Sequence, residues 1–71
     1  MRFKEIAAAE IIKGKAMYNI GFLNEDGLHD ETQFDAEGLS ELCELWKDFC
    51  KENGFDTDAV TYVECIGPAE E

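Results

Sequence analysis

The strongest pattern in the chain is a helical one. From about Ala36 to Asn53, Leu39, Leu42, Cys43, Trp46, Phe49 and Cys50 recur at intervals that place them on one stripe of an α-helix. Asp35 stands where an N-cap is expected, and Asn53-Gly54 supplies a left-handed stop signal. Phe55 follows the stop and is positioned to fold back onto the last turn.

Upstream, Asn24-Glu25-Asp26-Gly27 reads as a type I turn with Gly27 at the left-handed bulge position of a three-residue hairpin loop. That turn sets a register: Asn24 faces Leu28, Phe22 faces Asp30, Ile20 faces Thr32 and Tyr18 faces Phe34. Strands are expected near 16–23 and 28–34. Tyr18, Ile20, Phe22, Leu28, Thr32 and Phe34 then share one mostly apolar face on which the helix can pack.

Val60-Thr61-Tyr62-Val63-Glu64-Cys65-Ile66 is rich in β-branched and aromatic residues and stops at Gly67-Pro68, so it is expected to be a further strand. Apolar side chains fall on both its faces, which suits a central position. Residues 3–12 are ambiguous: Ala7-Ala8-Ala9 favours helix, but Glu10 falls beside Phe3 and Ile6 on a helical wheel. A strand is the preferred reading, with Lys13-Gly14 turning the chain into the 16–23 strand. The expected fold class is α+β, a small antiparallel sheet of three or four strands with one helix on one face (ββαβ, or βββαβ). Residues 1–67 form a single domain with Trp46, Leu42, Phe49, Tyr18, Ile20 and Phe34 in its core, and 68–71 form a short acidic frayed tail.

Charge changes this picture more than size does. Six basic against seventeen acidic residues give the chain of 71 a formal charge of −11. Direct binding to nucleic acid or to an anionic membrane is electrostatically unfavourable. Arg2, Lys4, Lys13 and Lys15 outnumber Glu5 and Glu10 up to residue 23, whereas residues 24–71 hold fifteen acids against Lys47 and Lys51. An electrostatic partner is therefore a basic protein surface that meets the C-terminal two thirds.

On the expected helix, Glu37, Glu41, Glu44, Asp48 and Glu52 fall in one sector opposite the apolar stripe. Carboxylates four residues apart stand ~6 Å apart along the axis, and each such like-charge pair opposes the helix by roughly 0.2–0.5 kcal/mol. The sector reads either as a solvated, solubilising face or as a partner-binding face for a basic protein patch, including one that normally holds nucleic acid.

Other candidates for chemistry are weaker. Cys43 and Cys50 lie ~10.5 Å apart along one helix, too far for a disulfide or a shared zinc ion, and read as core. Cys65 is left open between core and surface. With an odd number of cysteines, no CxxC pair and no expected secretory leader, a reducing, cytoplasmic setting fits. No apolar run approaches the ~18–20 residues that span a bilayer.

His29, the one histidine, sits among Asp26, Asp30 and Glu31 on the face away from the core and reads as a surface residue. Neither Asn24-x-Asp26-Gly27 nor Asp56-x-Asp58 extends to a calcium loop. No phosphate-binding glycine loop or nucleophile arrangement can be drawn, and a chain this short has little room for a pocket of ~300–1,000 Å³. No cofactor, metal or catalytic residue is expected. The function expected is protein–protein binding, by a partner that meets the acidic helix face or an exposed strand edge, or by pairing with a second copy through a sheet edge. The alternative is a nucleic-acid-mimicking inhibitor that blocks a basic groove.

Overall fold

The structure, a computed structural model, describes residues 2–68. In chain order the elements are α1 (Arg2–Ala8), β1 (Ala16–Leu23), β2 (His29–Ala36), α2 (Leu39–Asn53), a short 3-10 turn at Thr57–Ala59, and β3 (Val60–Pro68). The strands form one antiparallel sheet in the order β2-β1-β3, and both helices pack on one face of it. α2 lies against β2 and α1 against β3. This is the expected α+β fold. The tail expected over 68–71 lies outside the described residues except for Pro68, which ends β3.

The hairpin follows its turn chemistry. The Asn24 N–H bonds the Leu28 carbonyl and the Gly27 N–H bonds the Asn24 carbonyl, both at 2.9 Å, with Gly27 at φ 78°. The Asn24 side chain also accepts from the Asp26 and Leu28 amides at 2.9 and 3.1 Å. Phe22 pairs with Asp30, Ile20 with Thr32 and Tyr18 with Phe34, the register that the turn sets. Tyr18, Ile20 and Phe22 are buried beneath the helices, and Phe34 is half-buried edge-on to Phe49 at 5.7 Å. Leu28 departs from the expected apolar face: it belongs to the loop and is 64% exposed.

α2 begins three residues later than its apolar pattern suggests. Asp35 and Ala36 belong to β2, and the N-cap is Gly38 at φ 112°, ψ 169°, a conformation that side chains disfavour and that lets the chain swing from strand to helix within two residues. No side chain caps this end; instead the Glu41 carboxylate reaches back to accept the Glu37 N–H at 2.8 Å. At the other end Gly54 is left-handed, and the Gly54 and Phe55 amides both bond the Cys50 carbonyl. Phe55 turns back to sit 5.8 Å from Phe49 and 5.2 Å from Phe22.

The first segment is a helix, not a strand, so no meander precedes α2. Phe3 and Ala7, one turn apart, are both fully buried, and the Phe3 ring stacks on Trp46 at 5.3 Å. Half-buried Ile6 packs beside them, and the remaining positions of this short helix are exposed. Glu10 does not spoil it: α1 ends at Ala8, and Glu10 lies in the link beyond, where its carboxylate accepts the Cys65 amide at 3.3 Å. The Ile12 amide donates to the Tyr18 phenol oxygen at 3.2 Å and ties the same link to β1.

β3 is an edge strand, not the central one. Its core face (Val60, Val63, Cys65) packs under α1, while its pairing with β1 shifts register at two places, between Met17 and Tyr18 and between Gly21 and Phe22. Trp46 is the hub of the core: it is fully buried, touches Phe3, Phe22 and Phe49, and donates its indole N–H to the Thr57 carbonyl at 3.0 Å. Among the described residues no helix is long and apolar enough to cross a membrane.

Candidate functional site

The acidic residues singled out on the helix are all exposed. Glu41, Glu44, Asp48 and Glu52 lie on α2, opposite buried Leu42, Trp46 and Cys50. Glu37 does not. It sits in the two-residue link before the helix, joined to the sector by the hydrogen bond from its N–H to the Glu41 carboxylate. The acid also continues beyond the helix. Asp30, Glu31 and Asp35 on β2 are exposed as well, so residues 29–53 carry eight exposed acids against Lys47 and Lys51.

The sheet face turned away from the helices carries a second arrangement, which depends on strand order and which the sequence reading missed. Tyr62 of β3 lies over Gly21 of β1, and its phenol donates to the Glu31 carboxylate on β2. A side chain at position 21 would occupy the space of the Tyr62 ring, so glycine is required there for close approach. Asn19 Nδ2 donates to the same phenol oxygen at 3.4 Å. His29 stacks on the Tyr62 ring at 5.7 Å, and its Nε2 lies 3.1 Å from Thr61 Oγ1.

The phenol bond, then Asn19, holds the Glu31 carboxyl below its ordinary range. That bonded carboxylate holds the Tyr62 phenol above its own. The signal that could have led to this cluster was a glycine in the middle of a strand otherwise built of large residues. Chemically the cluster fixes three strands to one another. Its phenol proton is already engaged by the Glu31 carboxylate.

The cysteines divide. Cys50 is buried in the core, and burial, followed by the charge of Asp56, pushes its thiol up to about 11. Cys43 is only half-buried, where both had been expected in the core; burial raises its thiol too. Cys65 is half-buried on the core side of β3. Cys43 lines an open groove of about 420 Å³ between α1 and α2 with Lys4, Ser40 and Lys47. A second of about 320 Å³ lies between the hairpin loop and Phe55. Their volumes reach the range thought too large for so short a chain, but both are open to solvent. Among the described residues no three His, Cys, Asp or Glu side chains come together as a metal site would require.

Compared with protein-family models, curated proteins and solved structures, the chain matches none.

Proposed function

We propose that this chain works by binding a protein with a basic surface and carries out no chemical step of its own. One observation carries the reading: Glu41, Glu44, Asp48 and Glu52 form an exposed row along α2 with Glu37 bonded at its start, so the outer face of the helix is acidic throughout its length. Charge of one sign on one side steers a partner of the opposite sign and raises its association rate. Its maintenance also costs helix stability through like-charge neighbours. The three free thiols suit a reducing compartment such as the cytoplasm.

A narrower form of the same reading is a mimic of nucleic acid. Glu41, Glu44, Asp48 and Glu52 form an exposed row along α2, and a row of carboxylates at regular helical spacing resembles a run of phosphates to a basic groove.

The test is capture of a partner from the native host, followed by binding at rising salt. Affinity should fall steeply with ionic strength, through slower association. Changing Glu41 and Glu44 to Gln and Asp48 to Asn together should weaken binding in the same way. Competition by duplex DNA for the partner selects the mimic. Unchanged affinity in the triple variant at low salt removes the helix face from the reading.

A further inference from the structure

The two edges of the sheet are protected unequally. On β3, α1 packs alongside, the outward amide of Cys65 is taken by the Glu10 carboxylate, the pairing is broken by two register shifts, and the strand ends at Gly67-Pro68. These are the devices by which natural sheets prevent addition of a further strand. β2 has few of them. Its eight residues pair with β1 in unbroken register, and it contains no proline, glycine or lysine.

The outward groups of β2 follow from the hairpin. The bond from the Asn24 amide to the Leu28 carbonyl makes that pair a hydrogen-bonded one. Alternation along an antiparallel ladder then turns the amides of His29, Glu31, Gln33 and Asp35 away from β1. Glu31 is the guarded one, its N–H taken by the Asp30 carboxylate at 2.8 Å. The stretch from Gln33 to Asp35 has no such guard among the described residues. The strand is also held firm from behind, since Glu31 is tied to Tyr62 and His29 approaches Thr61 across β1. An edge that is unbroken and anchored loses little freedom when it accepts another strand.

We propose that the β2 edge accepts an extended basic segment of a partner protein as a fourth strand. The occupant is set by charge. A strand laid beside β2 brings its side chains opposite Glu31, Gln33 and Asp35 on the open face, and lysine or arginine at alternate positions complements the two acids. A second copy of this chain is disfavoured: an antiparallel pairing of β2 with itself centred on Gln33 sets Glu31 opposite Asp35, and like charges directly opposite oppose pairing. The inference rests on the basic-partner reading and adds its mode of contact, main-chain hydrogen bonding with alternate side-chain contacts.

The probe is an end-capped peptide of about nine residues alternating lysine and valine, long enough to span the strand. A second peptide of equal charge with proline in place of valine cannot form the ladder. On titration into the full chain, the amides of Gln33 and Asp35 should gain protection from hydrogen exchange, and the valine peptide should bind at least about tenfold tighter than the proline peptide, the effect of one or two main-chain bonds. Gln33→Pro removes an outward donor and no bond to β1; it should keep the fold and lose about tenfold in affinity for the valine peptide.

Equal binding of the two peptides, without protection at Gln33 and Asp35, overturns strand addition while leaving the basic-partner reading in place. Failure of both peptides to bind at low salt overturns both. A concentration-dependent dimer that protects the same amides assigns the edge to a second copy and overturns the proposal. Should Gln33→Pro not fold, the two peptides and the exchange data on the unaltered chain still decide the matter.

Discussion

The phenol of Tyr62 on one edge strand hydrogen-bonds the carboxylate of Glu31 on the other, with the tyrosine ring laid over Gly21 of the strand between. The pair joins residues thirty-one positions apart in the chain and spans the sheet on its open face.

Its contribution to stability should depend on pH in a defined window. A carboxyl lowered on folding stabilises above its unfolded value and loses that contribution as pH falls through the folded one; a phenol raised on folding stabilises below its unfolded value and loses it as pH rises through the folded one. Glu31 is lowered from 4.5 and Tyr62 raised from 10.0, so the pair contributes between those values and fades beyond them. In Tyr62→Phe the Glu31 titration, followed by carboxyl-carbon NMR, should move up toward the ordinary value. The stability gap between the two proteins should narrow as pH falls below that of a free carboxyl. An unmoved Glu31 titration contradicts the bond.

Gly21 should be intolerant of a side chain only because of Tyr62. Gly21→Ala inserts a methyl group into the space of the Tyr62 ring and should cost about 1–3 kcal/mol, the usual range for overpacking. With Tyr62→Ala already in place the same change should cost little, so that in a double-mutant cycle the combined loss is smaller than the sum of the two. Additive losses in denaturant melts would mean that the glycine serves some other constraint.

Trp46 and Phe3 test the docking of the first helix. Both are fully buried and stacked on one another. Either change to alanine should cost about 3–5 kcal/mol, comparable to the whole stability expected of a domain this small. Thermal melts of Phe3→Ala decide whether α1 belongs to the cooperative core; an unmoved transition would detach it.

Cys50 should be the last thiol to react. It is buried, and its thiol is pushed up to about 11, chiefly by burial, so little thiolate exists at neutral pH. Alkylation of the folded chain followed by mass spectrometry should label Cys43 and Cys65, both half-buried, before Cys50, with all three equal in denaturant. Neither chelator nor reductant should change the circular dichroism spectrum. Early labelling of Cys50 would place the apolar stripe of α2 on the wrong side.

What the sequence made legible was local. Asn24 and Gly27 specify a loop whose geometry admits one register, and the pairing of Tyr18 with Phe34 follows from it. The stripe from Leu39 to Cys50 and the Gly54 stop were equally plain. The start of α2 was misplaced because Asp35 offers a good capping side chain while the chain in fact turns at Gly38, where backbone freedom matters and no side chain bonds. α1 is not legible because Phe3 and Ala7 are too few to make a periodic pattern, and because Glu10, which shares their sector on a helical wheel, lies beyond the end of the helix. Strand order was the largest gap. Without β3 on the far side of β1, nothing brings Tyr62 to Glu31 or His29 to Thr61, so the open-face cluster could not be read from spacing.

The acidic face of α2 gives the prediction in which stability and function separate. Glu41, Glu44 and Asp48 are exposed, and Glu44 with Asp48 is a like-charge pair one turn apart. Changing the three to Gln, Gln and Asn should raise stability slightly, by about 0.2–0.5 kcal/mol for each like-charge pair relieved. The choice at position 41 matters, because Glu41 accepts the Glu37 N–H ahead of the helix, and a glutamine carbonyl can keep that bond where alanine cannot. The glutamine form should therefore melt above the unaltered chain and Glu41→Ala at or below it, with the gain shrinking at high salt as the repulsion is screened. A face kept acidic only for solubility shows this gain and binds any partner as before; a face that meets a basic partner shows the same gain together with slower association. Thermal melts and association rates measured on the same three variants distinguish the two, and a triple variant that loses stability would show that these carboxylates support the helix more than they repel one another.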